Sequence, residues 1–281
     1  MTSFAGITDS FVAAGGACLR SRRWEAGEPR GRVLLVHGLG EHGGRWGHVA
    51  RFLAGRGFGV FSYDQRGHGA SEGARGHLPS FDVLLDDLRH AQEELERRLP
   101  GEGPPFLYGH SMGGLVVIRY VQSYGAPSPG VVLSAPWLGT AMEVPGWKRL
   151  AARLLTRFAP EVTLTTDLEA SALSRDPGVQ RAYDSDPLVH RRLSPRLFAQ
   201  VEQAQALALE QGLHPSVPAL VLVPEDDPIT DVGLTLRWAG SLPGGQVRVL
   251  RLAGLRHEPH NEPEGESVLA SVVEWLEGLR A

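Results

Sequence analysis

The residues with the clearest chemical potential form a short motif around a serine. Gly109-His110-Ser111-Met112-Gly113 follows the apolar run 106–108 and precedes the helical pattern 115–120. A serine between a strand and a helix, with glycine two residues to either side, is typical of a nucleophile held on a strained turn. The alternative is a glycine-rich turn whose serine only caps the following helix. The strand and helix around the motif favour Ser111 as a nucleophile.

Four further blocks accompany the serine motif. They are His37-Gly38-Leu39-Gly40-Glu41-His42, Asp64-Gln65-Arg66-Gly67-His68-Gly69-Ala70-Ser71, Pro224-Glu225-Asp226-Asp227-Pro228-Ile229 and His257-Glu258-Pro259-His260-Asn261-Glu262. Together the five blocks span nearly the whole chain and resemble the monoacylglycerol lipase and lysophospholipase branch of the α/β-hydrolases. The resemblance implies ester hydrolysis by a Ser–Asp–His triad, with no metal and no organic cofactor.

The base and the acid of such a triad follow the serine along the chain. Only His257 and His260 lie late enough to be the base, and the resemblance places the catalytic histidine at His257, with His260 as the alternative. For the acid, Asp227 fits the family's spacing. Pro224 stands where family members usually have glycine, so Asp226 remains a second candidate.

A tetrahedral intermediate also needs backbone donors for its oxyanion. One is the amide of Met112, the residue after the nucleophile, and the resemblance implies that the other is the amide of Leu39. The polar residues of the two glycine-rich blocks are interpreted as ordering the backbone; they are His37, Glu41, His42, Asp64, Arg66 and His68. A metal site built from three of these histidines would lack the ligand spacing typical of zinc proteins, and none is predicted.

These residues must be positioned by alternating strands and helices. Near-continuous apolar runs predict strands at 33–36, 59–62, 106–108, 131–133, 219–223 and 247–250, and helical patterns fall at about 45–55, 79–98, 112–124, 232–241 and 264–280. Gly15-Gly16 predicts the turn of an N-terminal hairpin. The alternation predicts an α/β-hydrolase fold, with a mostly parallel, doubly wound sheet covered on both faces.

The interval 137–214 interrupts this alternation, because it contains no predicted strand. We expect a helical cap over the carboxyl ends of the strands, inserted into a core formed by residues 1–136 and 215–281. An amphipathic helix in the cap has one apolar and one basic face. The apolar face is expected to pack over the core, and transient contact with an anionic membrane surface is the alternative, compatible with the first if the cap opens. The candidate pocket residues are Trp137, Leu138, Trp147, Leu150 and Leu154.

Composition narrows the classes of partner and compartment. The formal charge of -4 argues against nucleic-acid binding, and no apolar run reaches the roughly 20 residues of a membrane span. The start of the chain lacks a basic leader, so a cytoplasmic location is expected. The one cysteine, Cys18, is interpreted as a buried or half-buried apolar residue. No oligomeric state is predicted.

The function predicted from the sequence is hydrolysis of a lipid ester, such as a monoacylglycerol or lysophospholipid, through an acyl-enzyme. A carboxylesterase for small esters is an alternative. An aminopeptidase or a C–C hydrolase of the same fold is another, and the peptidase would need an acidic recess, for which Glu41, Glu143 or Glu169 are candidates. A non-catalytic binding protein is disfavoured because all three triad members are present in order.

Overall fold

A mostly parallel, eight-stranded sheet organises the part of the chain that the structure describes. The computed structural model describes residues 6–27, 29–125, 127–141, 162–166 and 168–280. The strands are β1 (Ile7–Val12), β2 (Cys18–Trp24), β3 (Gly31–Val36), β4 (Phe58–Tyr63), β5 (Phe106–His110), β6 (Val131–Ser134), β7 (Leu164–Thr165), β8 (Arg192–Leu193), β9 (Ala219–Pro224) and β10 (Val247–Leu252). The sheet order is β1-β2-β4-β3-β5-β6-β9-β10, and only the pairs β1–β2 and β2–β4 are antiparallel.

The helices lie on both faces of this sheet. They are α1 (Gly47–Ala54), α2 (Asp82–Arg98), α3 (Met112–Tyr124), α4 (Pro177–Ser185), α5 (Pro195–Gln211), α6 (Val232–Ser241) and α7 (Gly265–Gly278), and short 3-10 turns occur at Ala14–Gly16, Gly43–Trp46, Ala170–Ala172 and Pro259–Asn261. Residues of α2, α3, α5 and α6 pack against one face, and residues of α1 and α7 pack against the other.

The central strands are apolar throughout because each supplies side chains to both layers. Leu34 and Val36 of β3 lie in the first core, while Val33 and Leu35 lie in the second, and all four are buried. Alternation of this kind removes any solvated face, so the strand reads as a continuous apolar run. The predicted α/β-hydrolase fold is confirmed.

The N-terminal hairpin forms where two glycines allow the chain to reverse. Gly15 and Gly16 have φ values of 65° and 83°, in the left-handed region that favours glycine. The register pairs Phe11 with Leu19 and Val12 with Cys18. The hairpin extends the parallel sheet by two antiparallel strands.

Two expectations were wrong in detail. The interval 137–214 contains a two-residue antiparallel ladder, β7 with β8, which is too short to produce a periodic signal in the sequence. Cys18 is exposed, because it opens β2 on the face opposite the buried Leu19. The exposure of the Cys18 thiol therefore follows from its position in the alternating pattern of β2 and not from the apolar character of the side chain.

The later part of the interval 137–214 packs directly on helix α3. Ser194 is the N-cap of helix α5, and its hydroxyl oxygen accepts a hydrogen bond from the backbone amide of Leu197 at 3.1 Å. Its buried residues Val201, Ala204 and Ala208 belong to the same core as α3. None of the helices in the described ranges is long and apolar enough to cross a membrane.

Candidate active site

Ser111, Asp227 and His257 all follow the carboxyl ends of parallel strands. Ser111 comes directly after β5, Asp227 lies in the loop after β9, and His257 lies in the loop after β10. In an open α/β sheet the loops at this edge form the crevice in which ligands bind. The topology therefore brings the loops of the three predicted residues to one edge.

The backbone of Ser111 is strained in the manner expected of a nucleophile turn. Its φ of 52° and ψ of -117° lie outside the regions that a serine normally adopts, and Ala135 is the other non-glycine residue with positive φ in the described ranges. Ser111 precedes α3 but its side chain makes no capping hydrogen bond. The geometry thus disfavours the interpretation of Ser111 as a simple helix cap.

The two flanking glycines are required by close backbone approach. A Cβ on Gly113 would clash with the carbonyl oxygen of Val36 at the end of β3, and a Cβ on Gly109 would clash with the carbonyl oxygen of Gly113. Helix α3 therefore begins in direct contact with the central strands. This packing holds Ser111, which is 7% exposed, at the end of the sheet.

His257 is paired with a buried carboxylate. Its Nδ1 lies 2.8 Å from Oδ2 of Asp227, and Asp227 also accepts the amide of Ile229 at 2.8 Å and the hydroxyl of Thr230 at 2.5 Å. Since β9 and β10 are neighbours in the sheet, their loops meet. Asp226 is exposed, so the register at this strand end points Asp227 inward.

The interaction between His257 and Asp227 favours the charged form of each residue, so the pKa of the acid is lowered and the pKa of the base is raised. Burial raises the pKa of Asp227, but the charge and hydrogen bond of His257, together with the hydrogen bonds from Thr230 and Ile229, leave it below its ordinary value. Burial lowers the pKa of His257, but the charge and hydrogen bond of Asp227, together with the charges of Glu258 and Glu41, leave it above its ordinary value. With Nδ1 held by the carboxylate, Nε2 is the ring nitrogen left to exchange a proton.

The alternative base, His260, lies in a different environment. Its ring stacks on Trp46 with centroids 4.1 Å apart, and burial, chiefly, lowers its pKa well below the ordinary value. Its backbone oxygen, rather than its ring, faces the ring nitrogen of His48 at 3.0 Å. Of the two histidine rings, that of His257 is the one that bonds to Asp227 among the hydrogen bonds of the described residues.

The loop after β3 passes beside the serine. A Cβ on Gly38 would lie 3.2 Å from the Cβ of Ser111, so the chain at this point touches the turn at Ser111. Leu39 follows, half-buried, with its side chain against the first core. Gly40, with a φ of 79°, accepts the amide of His190 at 2.8 Å. The amides of Leu39 and of Met112 therefore belong to two segments that meet next to Ser111.

Residues interpreted as architectural do hold the backbone. Asp64 accepts the amides of Gly43 at 3.0 Å and Ala70 at 2.9 Å, and pairs with Arg22 at 2.6 Å. The ring nitrogens of His37 are taken up by the amide of Gln65 at 2.9 Å and the carbonyl oxygen of Gly38 at 2.7 Å. These contacts fix two loops that frame the site and leave no role in metal binding for His37.

The candidate pocket residues are only partly described. Trp137 and Leu138 are buried, and the amide of Trp137 donates to the carbonyl oxygen of Ser111 at 3.0 Å. Trp147, Leu150 and Leu154, with the basic amphipathic helix of the expected cap, lie outside the described residues. The assignment of all five residues to a pocket stays a prediction.

Three residues beside the site were missed. Thr230 donates to Asp227, and a hydroxyl three residues after the acid is the one signal that could have revealed it. Arg45 pairs with Glu258, the neighbour of His257, at 2.6 Å. No sequence signal links those two residues, because 213 positions separate them.

Comparison with known proteins gives a consistent result. Residues 27–264 match the family model described as serine aminopeptidase, S33. The chain is 32% identical over 278 residues to a monoacylglycerol lipase of Mycolicibacterium smegmatis, covering 98% of this chain and 99% of that one. It is 31% identical over 251 residues to an uncharacterized abhydrolase domain-containing protein of Dictyostelium discoideum, of which the match spans 26%. The crystal structure of a monoacylglycerol lipase from Paleococcus ferrophilus superposes with a TM-score of 0.84 at 37% identity, covering 93% of this chain and 99% of that one.

Proposed function

The chain belongs to the serine aminopeptidase S33 family and is a lipase- or esterase-type α/β-hydrolase, and from this premise we propose that it hydrolyses monoacylglycerols through an acyl-enzyme formed on Ser111. The observation that carries the chemistry is the buried pair of His257 and Asp227, at 2.8 Å, with the His257 ring 4.8 Å from the ring of His110, the residue before the strained Ser111. The similarity to a monoacylglycerol lipase over nearly the full length of both chains supports the substrate class.

The reaction proceeds in two halves. His257 Nε2 takes the proton of Ser111 as the hydroxyl attacks the acyl carbonyl, and the amides of Leu39 and Met112 bind the oxyanion. Each such donor typically lowers the barrier by about 3 kcal/mol. His257 then protonates the leaving glycerol oxygen, and a water activated by the same ring releases the fatty acid and restores Ser111.

The Asp227 carboxylate has two tasks in this scheme. It holds the tautomer in which Nδ1 carries hydrogen and Nε2 is free to act as base, and it stabilises the imidazolium that forms during the attack. The hydrogen bonds from Ile229 and Thr230 keep the carboxylate oriented without neutralising it.

Substrate preference is tested with an acyl series. We expect turnover of p-nitrophenyl esters to rise from acetyl to palmitoyl, and we expect cleavage of monoacylglycerol, because a lipase must bury an alkyl chain and each buried CH₂ contributes about 0.8 kcal/mol. Ser111→Ala is the control for every substrate. Turnover limited to the shortest esters would instead indicate a small-ester carboxylesterase, and preference for a lysophospholipid would move the substrate to the phospholipid class.

An aminoacyl-anilide belongs in the same assay, since the family description names an aminopeptidase. Glu41 is engaged internally by Gly38, Arg45 and Trp46, and Glu169 is exposed, so neither is free in a buried recess for a substrate ammonium. Glu143 lies outside the described residues. We expect no cleavage of the anilide, and cleavage of it alone would replace the lipase proposal with the peptidase one.

The pH dependence of kcat/KM tests the base. Protonated His257 cannot accept the Ser111 proton, so kcat/KM falls as pH drops through the pKa of His257, which Asp227 holds above the ordinary value of about 6.5. Above that pKa the profile is level. The measurement is kcat/KM for a soluble short-chain ester between about pH 5 and 9. A profile without an acid limb would contradict the assignment.

A further inference from the structure

Arg45 lies half-buried between two buried carboxylates beside the proposed active site. Its Nη1 is 2.9 Å from Oε2 of Glu41 and 2.6 Å from Oε1 of Glu258, and its Nη2 is 2.7 Å from Oε2 of Glu258. The side chains of Glu41 and Glu258 are only 2% and 3% exposed. We call these three residues the Arg45 clamp.

Each carboxylate of the clamp also orders a backbone segment. Oε1 of Glu41 accepts the amide of Gly38 at 2.7 Å, so it ties down the residue that precedes Leu39. Glu258 directly follows His257, and its Oε2 accepts the side-chain amide of Asn261 at 2.7 Å, which closes the turn after the histidine. One end of the clamp therefore holds the loop after β3, and the other holds the loop after β10.

We propose that the Arg45 clamp is a positioning network that fixes the oxyanion loop, with Leu39, against the loop that carries His257. The inference rests on the proposed function, since it assigns those two loops to the oxyanion donor and the base. A bidentate guanidinium–carboxylate pair sets both distance and orientation, because two parallel hydrogen bonds resist rotation as well as separation. The clamp thereby sets the distance between donor and base, two groups that act on the same intermediate.

A cation site is the rival interpretation of the same cluster. Glu41, His110 and Glu258 each offer one ligand atom, and these atoms lie within 4.8 Å of one another in the described part of the chain. The Arg45 guanidinium is already bonded to both carboxylates. The guanidinium thus supplies one positive charge to the cluster, and burial raises the pKa of Glu41 above its ordinary value, which reduces the negative charge left for a cation.

The clamp also sets part of the electrostatic environment of the base. Burial lowers the pKa of His257, whereas Asp227, Glu258 and Glu41 raise it. His110, whose ring centroid lies 4.8 Å from that of His257, has its pKa lowered to about 3 by burial first and by His257 second, so it is neutral at working pH. Removing the charge of Glu258 should therefore lower the pKa of His257.

The test combines steady-state kinetics with a pH profile for two variants. Glu258→Gln should lower kcat by about 10²-fold with little change in KM, because the donor and the base lose their fixed separation. It should also move the acid limb of kcat/KM to lower pH. Arg45→Lys keeps the charge but not the bidentate geometry, so it should lower kcat and leave the acid limb in place.

Asp87→Asn is the matched control. Asp87 is fully buried on α2 and forms a bidentate pair with Arg66, which donates in turn to Ala14 in the N-terminal hairpin. This variant breaks a buried ion pair of the same kind away from the two loops, so it should lower the thermal midpoint and leave kcat and the acid limb at wild-type values.

Three results would overturn the clamp. They are a Glu258→Gln protein with wild-type kcat and acid limb, an equal loss of kcat in Asp87→Asn, or an Arg45→Lys protein as active as wild type. If Glu258→Gln fails to fold, the activity of Arg45→Lys is the measurement that tests the clamp. Ser111→Ala on the same ester distinguishes failure of the proposed function from failure of the clamp proposal. Turnover that survives in Ser111→Ala would contradict the proposed function. Turnover that depends on Ser111 but is unaffected by the clamp variants would contradict only the clamp proposal.

Discussion

Ser111→Ala is expected to lower kcat for ester hydrolysis by about 10⁶-fold, the size of loss that removal of the nucleophile causes in a serine protease. Without the hydroxyl no acyl-enzyme forms, so the base and the oxyanion donors can assist only direct attack by water. The strained turn, the flanking glycines and the absence of a capping bond at Ser111 all motivate this expectation. The measurement is kcat for a p-nitrophenyl ester and for monoacylglycerol.

Ser21→Ala is the matched control for the nucleophile. Ser21 is also a buried serine, but it lies in β2, and its hydroxyl has no hydrogen-bond partner among the described residues. We expect wild-type kcat in this variant. Retention of substantial activity in Ser111→Ala, with Ser21→Ala unchanged, would show that the nucleophile is another group.

Asp227→Asn is expected to lower kcat by about 10⁴-fold with the fold intact. The amide can present its NH₂ to Nδ1 of His257 and so favour the tautomer whose Nε2 carries hydrogen, which cannot accept the serine proton. The side chain is nearly isosteric, so the chain should still fold, although the thermal midpoint should fall because the buried pair with His257 loses its charge. The measurement pairs kcat with thermal unfolding of the same preparation.

Asp226→Asn tests the register at the same strand end. Asp226 is exposed, and we expect its replacement to leave kcat within about 2-fold of wild type, as is usual for a surface change that breaks no special contact. A larger loss in Asp226→Asn than in Asp227→Asn would reverse the assignment of the acid.

Local sequence patterns predicted the fold because each strand, helix or turn has a characteristic pattern within a few consecutive residues. Buried strands such as β3 are continuous apolar runs, and Gly15-Gly16 marks the hairpin turn by the conformation it permits. The serine motif likewise combines a strand end, a strained turn and a helix start within about ten residues. The motif around Ser111 can therefore be found in the local sequence, and the role of Ser111 as nucleophile stays a proposal.

Contacts between segments that are far apart along the chain could not be predicted from the sequence. Nothing in the neighbourhood of Arg45 indicates that it pairs with Glu258, because the pairing exists only once β3 and β10 lie in one sheet. The exposure of Cys18 was missed since composition suggests burial while strand alternation decides it. The ladder of β7 with β8 is two residues long and has no period to detect.

The most direct test of an acyl-enzyme on Ser111 is covalent labelling with a fluorophosphonate, which phosphonylates an activated serine and mimics the tetrahedral intermediate. The labelled protein is digested, the modified residue is mapped by tandem mass spectrometry, and monoacylglycerol hydrolysis is measured on the same samples. We expect one label per chain, on Ser111, with activity lost in proportion and labelling slowed by monoacylglycerol. Hydrolysis that persists after Ser111 is fully labelled, or that disappears with the label on a different residue, would contradict an acyl-enzyme on Ser111.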